Sequence, residues 1–217
     1  MALYLLRYNE TIRLLPTEEE ALPEVEERKG NQSREPPCSA IHKLWRDTSR
    51  DWLCHLFAYA VPNDISLKAI QNMQCTIIEI GAGTGYWGFL LSSLVTKPIY
   101  LYDSHPLPLS AQPEESKASR KSNVAQNDYH GKALAFTQVQ KGGITDLKVL
   151  SSQVEDTALF LCYPPPGCTM AFDCLLDFTG RFVIYVGEWQ GDTGSHDFER
   201  QLRKTYSLVK TVGLPNW

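Results

Sequence analysis

Three glycines spaced two apart, Gly81, Gly83 and Gly85, join the apolar run Thr76-Ile77-Ile78-Glu79-Ile80 to a second apolar segment that begins at Tyr86. A glycine turn of this kind lets the backbone approach a ligand closely, where any side chain would collide with it. In open α/β sheets ligands bind beyond the carboxyl ends of the strands, which is where this turn falls. Asp103 comes 24 residues after Glu79 and closes the next apolar run, Ile99-Tyr100-Leu101-Tyr102. An acidic side chain there can accept hydrogen bonds from both hydroxyls of a ribose. Glu79, at the end of its strand, can face the cationic part of the same ligand. Glu79, Gly81, Ala82, Gly83, Gly85 and Asp103 are therefore the candidate cofactor-binding residues. A tight structural turn beside a surface aspartate is the plain alternative.

The glycine spacing discriminates between ligands. A dinucleotide fingerprint wants its third glycine at position 86, where this chain has Tyr86, the third glycine being Gly85. That spacing favours S-adenosylmethionine over NAD and disfavours a nicotinamide-dependent oxidoreductase.

Two further segments carry groups that could meet a substrate. The run Ala158 to Cys162 leads into Tyr163-Pro164-Pro165-Pro166-Gly167, whose prolines restrict φ and remove backbone donors. The run Arg181 to Val186 leads into Gly187-Glu188-Trp189-Gln190-Gly191-Asp192-Thr193-Gly194. Glu188 is a candidate for orienting an acceptor or taking its proton, since a carboxylate can act as a general base when burial raises its pKa. Tyr163 and Glu188 are the candidate catalytic residues. A stiff loop with Tyr163 as a packing residue and a mobile glycine loop around Glu188, with Asp192 capping the helix that follows, are the competing readings. Tyr129 and His130 are weaker candidates, because a single histidine is more often structural.

These residues need a scaffold. Thr76–Ile80, Pro98–Tyr102, Ala158–Cys162 and Arg181–Val186 read as buried strands, and Phe136–Val139 as a weaker one. Trp87, Leu90, Leu91 and Leu94 mark one face of a helix over 86–95, giving strand, glycine turn, helix, strand, the signature of a parallel sheet. The 3-and-4 spacing from Ile41 to Phe57 predicts one or two amphipathic helices with Trp45, Trp52 and Phe57 in the core. A helix capped by Asp64 or Ser66 is expected through Met73, a late helix over 198–206 and a final strand over 207–212. The expected fold is α/β, a Rossmann-like doubly wound, mostly parallel sheet preceded by a helical segment. Residues 1–39 form an N-terminal extension, with 16–37 too polar to offset the entropy of ordering. The domain then spans 40–217, with a polar insertion at about 104–127.

Composition agrees with one packed domain: 217 residues, 43% hydrophobic. With 21 basic against 25 acidic residues there is no excess of positive charge to neutralise a phosphate backbone, so no strong nucleic-acid signal. No apolar run reaches the ~18 residues a membrane helix needs. Six cysteines without any Cys-x-x-Cys pair resemble neither a zinc site nor a disulfide framework, and no metal is called for. A cytoplasmic protein without a membrane partner is the expectation.

From Glu79 to Gly85 the chain resembles the first motif of the class I S-adenosylmethionine-dependent methyltransferases, and Asp103 resembles their acidic residue after the second strand. The stretches 57–62, 81–87, 163–166 and 184–194 are similar to a group of methyltransferase-like proteins. The similarity covers about residues 40–217. It implies the class I fold, S-adenosylmethionine as cofactor and methyl transfer to an acceptor, small molecule or protein, that it does not name. Family members that methylate nitrogen often carry Asn or Asp before Pro-Pro and an aromatic; Tyr163 and Pro166 depart from that pattern. The family usually ends in a hairpin of two strands, whereas this chain has room for one, so the hairpin is expected to be truncated. A catalytically inactive binding or regulatory module is the alternative.

Overall fold

The computed structural model describes residues 48, 50–109, 127, 129–131 and 133–215. The N-terminal extension and most of the polar insertion lie outside them, as does Trp45. The chain separates into two units, Met1–Trp52 and Leu53–Trp217, and the second carries the sheet.

The elements in chain order are α1 (Asp51–Leu56), α2 (Asp64–Gln71), β1 (Thr76–Ile80), α3 (Tyr86–Ser92), β2 (Ile99–Asp103), β3 (Gln140–Lys141), α4 (Ile144–Gln153), β4 (Thr157–Cys162), α5 (Met170–Asp177), β5 (Phe182–Val186) and α6 (His196–Thr205). Among the described residues five strands form one sheet in the order β3-β2-β1-β4-β5, every pair parallel. The fold is α/β and Rossmann-like. A buried parallel strand has apolar neighbours on both faces and therefore reads as a continuous apolar run. All five residues of β1 are buried, Glu79 included. One face of the sheet packs Ile78, Ile80, Leu159 and Leu161 against Leu147 of α4, Cys174 of α5 and Phe198 of α6. The other packs Ile77, Phe160 and Val186 against Ile70 of α2 and Trp87 and Leu91 of α3. The chain runs outward from β1 to β2 and β3, then returns to build β4 and β5 on the opposite side of β1. The crevice at that reversal, beyond the carboxyl ends of the strands, is the ligand position of such sheets.

Several local expectations are corrected. The cap of α2 is Asn63: its side chain accepts from Ser66 N at 2.8 Å while Ser66 Oγ accepts from Asn63 N at 3.1 Å, and the helix ends at Gln71. Ser195, not Asp192, caps α6 by accepting from Phe198 N at 3.2 Å. Phe136–Val139 is not a strand; a two-residue β3 pairs with β2 immediately after it. Residues 207–212 form no strand, and Leu208 and Val209 are 85% and 87% exposed. The segment instead ends with Leu214 packed on the α2–α3 face and Gly213 O accepting from Asn63 Nδ2 at 3.0 Å. Trp52 is 62% exposed, so it is not a core residue. Helices α4 and α5 go beyond the sequence-based expectation; both complete crossovers that a parallel sheet requires. Among the described residues no helix is long and apolar enough to cross a membrane.

Candidate functional site

At the end of β1 the backbone turns through Gly81, Gly83 and Gly85, all with positive φ (75°, 53° and 70°). Gly81 N and Ala82 N both donate to Tyr102 O, at 2.9 and 3.0 Å, which ties the start of the turn to β2. Ala82 is buried against Leu101 and Val139, so its side chain packs the core and faces no ligand. Gly85 caps α3, and a methyl group there would press on Val139 and Thr137 at 3.0 and 3.1 Å. Gly83 has no Cβ, and the space one would take is filled by His130. A methyl group on it would collide with the imidazole of His130.

Asp103, 8% exposed, closes β2 beside this turn. Its Oδ2 accepts from Gly83 N at 2.9 Å. Its Oδ1 accepts from His105 N at 2.9 Å and from Asn127 Nδ2 at 3.4 Å. The carboxylate therefore holds the glycine turn and the chain around Asn127 together. Among the described residues, two lone pairs per oxygen leave one acceptor position, on Oδ2. Room for two ribose hydroxyls, the expectation from sequence, is not there.

Glu79 is 2% exposed, and its Oε2 has no hydrogen-bond partner among the described residues. Burial, and secondarily the Asp103 charge, push its carboxyl up to about 8. At neutral pH the side chain is mostly the neutral acid. A buried, unpartnered acid of this kind is costly unless a ligand satisfies it.

The other two strand ends supply Tyr163 and Glu188. Tyr163 follows β4 and adopts φ 54°, a left-handed conformation that is a genuine outlier for a bulky residue. Tyr163 N donates to Val186 O at 2.7 Å, so the turn after β4 is laced to the end of β5. Its hydroxyl donates to Glu188 Oε1. The structure thus brings the two residues together, 25 positions apart in sequence. Glu188 is exposed. The loop that carries it is held by Thr193, whose Oγ1 accepts from Glu188 N at 2.6 Å and pairs with Tyr185 Oη at 2.7 Å.

Sequence reasoning undervalued Tyr59 and His130. Tyr59 stacks on Tyr163 with ring centroids 5.8 Å apart and meets His130 edge-on at 5.9 Å. His130 Nδ1 lies 3.0 Å from His55 O; a carbonyl only accepts, so Nδ1 carries the proton and Nε2 the lone pair. Burial lowers the pKa of this imidazole, which keeps it neutral. Asn127 Oδ1 accepts from His130 N at 3.0 Å. The only local signal for this cluster was the Asn127…Tyr129-His130-Gly131 run after the polar insertion. A cavity of about 340 Å³ opens elsewhere, lined by Pro166, Gln190, Gly194, Ser195, Asp197 and Glu199; neither the glycine turn nor Asp103 borders it.

Comparison of the chain with models of known protein families finds no match, and comparison with curated proteins finds none either.

Proposed function

We propose that the chain binds S-adenosylmethionine across the Gly81–Gly85 turn and transfers its methyl group to an acceptor that meets Tyr163 and Glu188. The observation that carries this reading is the hydrogen bond from Gly83 N to Asp103 Oδ2, which joins the glycine turn of β1 to the acid of β2 at the crevice. The residues present fit such a ligand: among the described residues Asp103 Oδ2 keeps one open acceptor position, and Glu79 Oε2 is unpartnered and can meet a cationic group. When bound, the cofactor supplies an electrophilic methyl on its sulfonium.

Everything else falls to the chain. Tyr163 and Tyr59 form an aromatic wall that orients an acceptor and displaces water from it. Tyr163 Oη, donating to Glu188 Oε1, fixes the direction of that carboxylate, and Glu188 Oε2 is the position for the acceptor's proton. Holding Tyr163 in a left-handed backbone costs on the order of 1–3 kcal/mol, a strain found most often at functional sites. A binding or regulatory module without turnover is the second reading, favoured by the exposure of Glu188, which leaves the proposed proton acceptor open to water. Calorimetric titration with S-adenosylmethionine, S-adenosylhomocysteine and NAD tests the cofactor. Micromolar binding of the first two with NAD silent is expected; NAD binding alone would sink the proposal. Incubation of the full chain with methyl-labelled cofactor and cell extracts then separates enzyme from module.

A further inference from the structure

Acceptor accounting at Asp103 leaves a ligand under-served. A ribose brings two adjacent hydroxyl donors, and Asp103 offers one free lone pair, because His105 N, Asn127 Nδ2 and Gly83 N occupy the rest. A second acceptor belongs close by. His130 is the group in place: its imidazole covers Gly83, with Nε2 the nearest ring atom, and Gly83 is the residue whose amide Asp103 binds. Its Nδ1 is committed to His55 O, which directs the lone pair to Nε2. Its own backbone amide is held by Asn127 Oδ1 at 3.0 Å, and the same Asn127 side chain donates to Asp103 Oδ1 and to His105 O at 3.0 Å. Asn127, itself 6% exposed, is therefore a clamp that sets the histidine and the aspartate relative to each other. The bond to His55 O and, after it, the charge of Asp103 oppose the effect of burial on the imidazole.

We propose that His130 Nε2 is the acceptor for one ribose hydroxyl of the adenosyl ligand, while Asp103 Oδ2 takes the other; the proposal rests on the cofactor reading above. His130 is then a ligand-binding residue that recognises an intact ribose, and it joins the crevice from the chain after the polar insertion rather than from a strand end.

The test removes the hydroxyl and the imidazole separately and together. Wild type, His130→Ala and His130→Gln are titrated by calorimetry with S-adenosylhomocysteine and with its 2′-deoxy and 3′-deoxy analogues. One deoxy analogue should bind wild type about three- to tenfold more weakly than the parent, the worth of one neutral hydrogen bond. That penalty should vanish in His130→Ala and persist in part in His130→Gln, whose amide oxygen also accepts. The other analogue should lose the same factor in all three proteins. If both analogues lose equal factors in wild type and His130→Ala, His130 meets no hydroxyl and this inference falls while the cofactor reading stands. If wild type binds neither the parent nor the analogues, both fall. Should His130→Ala fail to fold, the imidazole ¹⁵N resonances of labelled wild type decide: Nε2 must shift when the parent saturates the protein, and an unmoved Nε2 overturns the assignment.

Discussion

Glu79 stores an acid where the sheet is driest, and replacing it with glutamine should stabilise the protein at neutral pH. The native carboxyl titrates near 8 and the free side chain near 4.5. Below pH 4.5 both states hold the proton, glutamine is nearly isosteric with the neutral acid, and the two proteins should be about equally stable. Between 4.5 and 8 the unfolded chain ionises while the native chain does not. Each unit of pH then costs wild type about 1.4 kcal/mol of stability. At pH 7 the cost reaches about 3 kcal/mol, and above the folded-state pKa it levels off at about 5 kcal/mol. The sign is that of a raised folded-state pKa: stability is fully present at low pH and lost as pH rises toward 8. Urea unfolding of wild type and Glu79→Gln at unit steps from pH 5 to 9 measures the divergence. A gap between the two proteins that does not widen with pH would refute the reasoning, as would a glutamine variant less stable than wild type at pH 8. A cationic ligand seated against Glu79 favours its ionised form, so binding should release a proton and the observed enthalpy should vary with the ionisation heat of the buffer.

Gly83→Val places a branched side chain at φ 53° against the His130 ring; binding of S-adenosylmethionine should be lost while circular dichroism shows a folded protein, and unchanged affinity would remove the turn from the site. Tyr163→Phe keeps the ring on Tyr59 but removes the donor to Glu188, and Glu188→Gln removes the base. Each should hold cofactor affinity within a few fold and slow methyl transfer by about 10²-fold, the scale of general acid–base groups; equal rates in wild type and variants would strip both residues of their roles. Asn63→Ala removes the side-chain cap on Ser66 N and the Nδ2 bond to Gly213 O, leaving the backbone bond to Ser66 Oγ in place; thermal unfolding should report a loss of about 1 kcal/mol with cofactor affinity unaltered.

What was legible in the sequence is what short-range pattern can express. Strands buried on both faces appear as unbroken apolar runs, so β1, β2, β4 and β5 were each found to within a residue or two. The spacing of Gly81, Gly83 and Gly85 is itself a backbone property, and Asp103 lies one βαβ step away. Pattern failed where burial is shared out by neighbours. Val149 and Leu176 are exposed while Ser151 is buried, which blurs the periodicity of α4 and weakens that of α5; residues 207–212 have strand-like composition but no partner strand among the described residues to complete their hydrogen bonds. The chemistry of the site depended on tertiary structure even more. That Tyr163 meets Glu188, that His130 covers Gly83, and that Gly83 N and Asn127 Nδ2 already occupy the Asp103 carboxylate follow from through-space contacts between segments 20 or more positions apart. A residue's type states which hydrogen bonds it can make; only the packed chain decides which of them are already made, and hence which remain for a ligand.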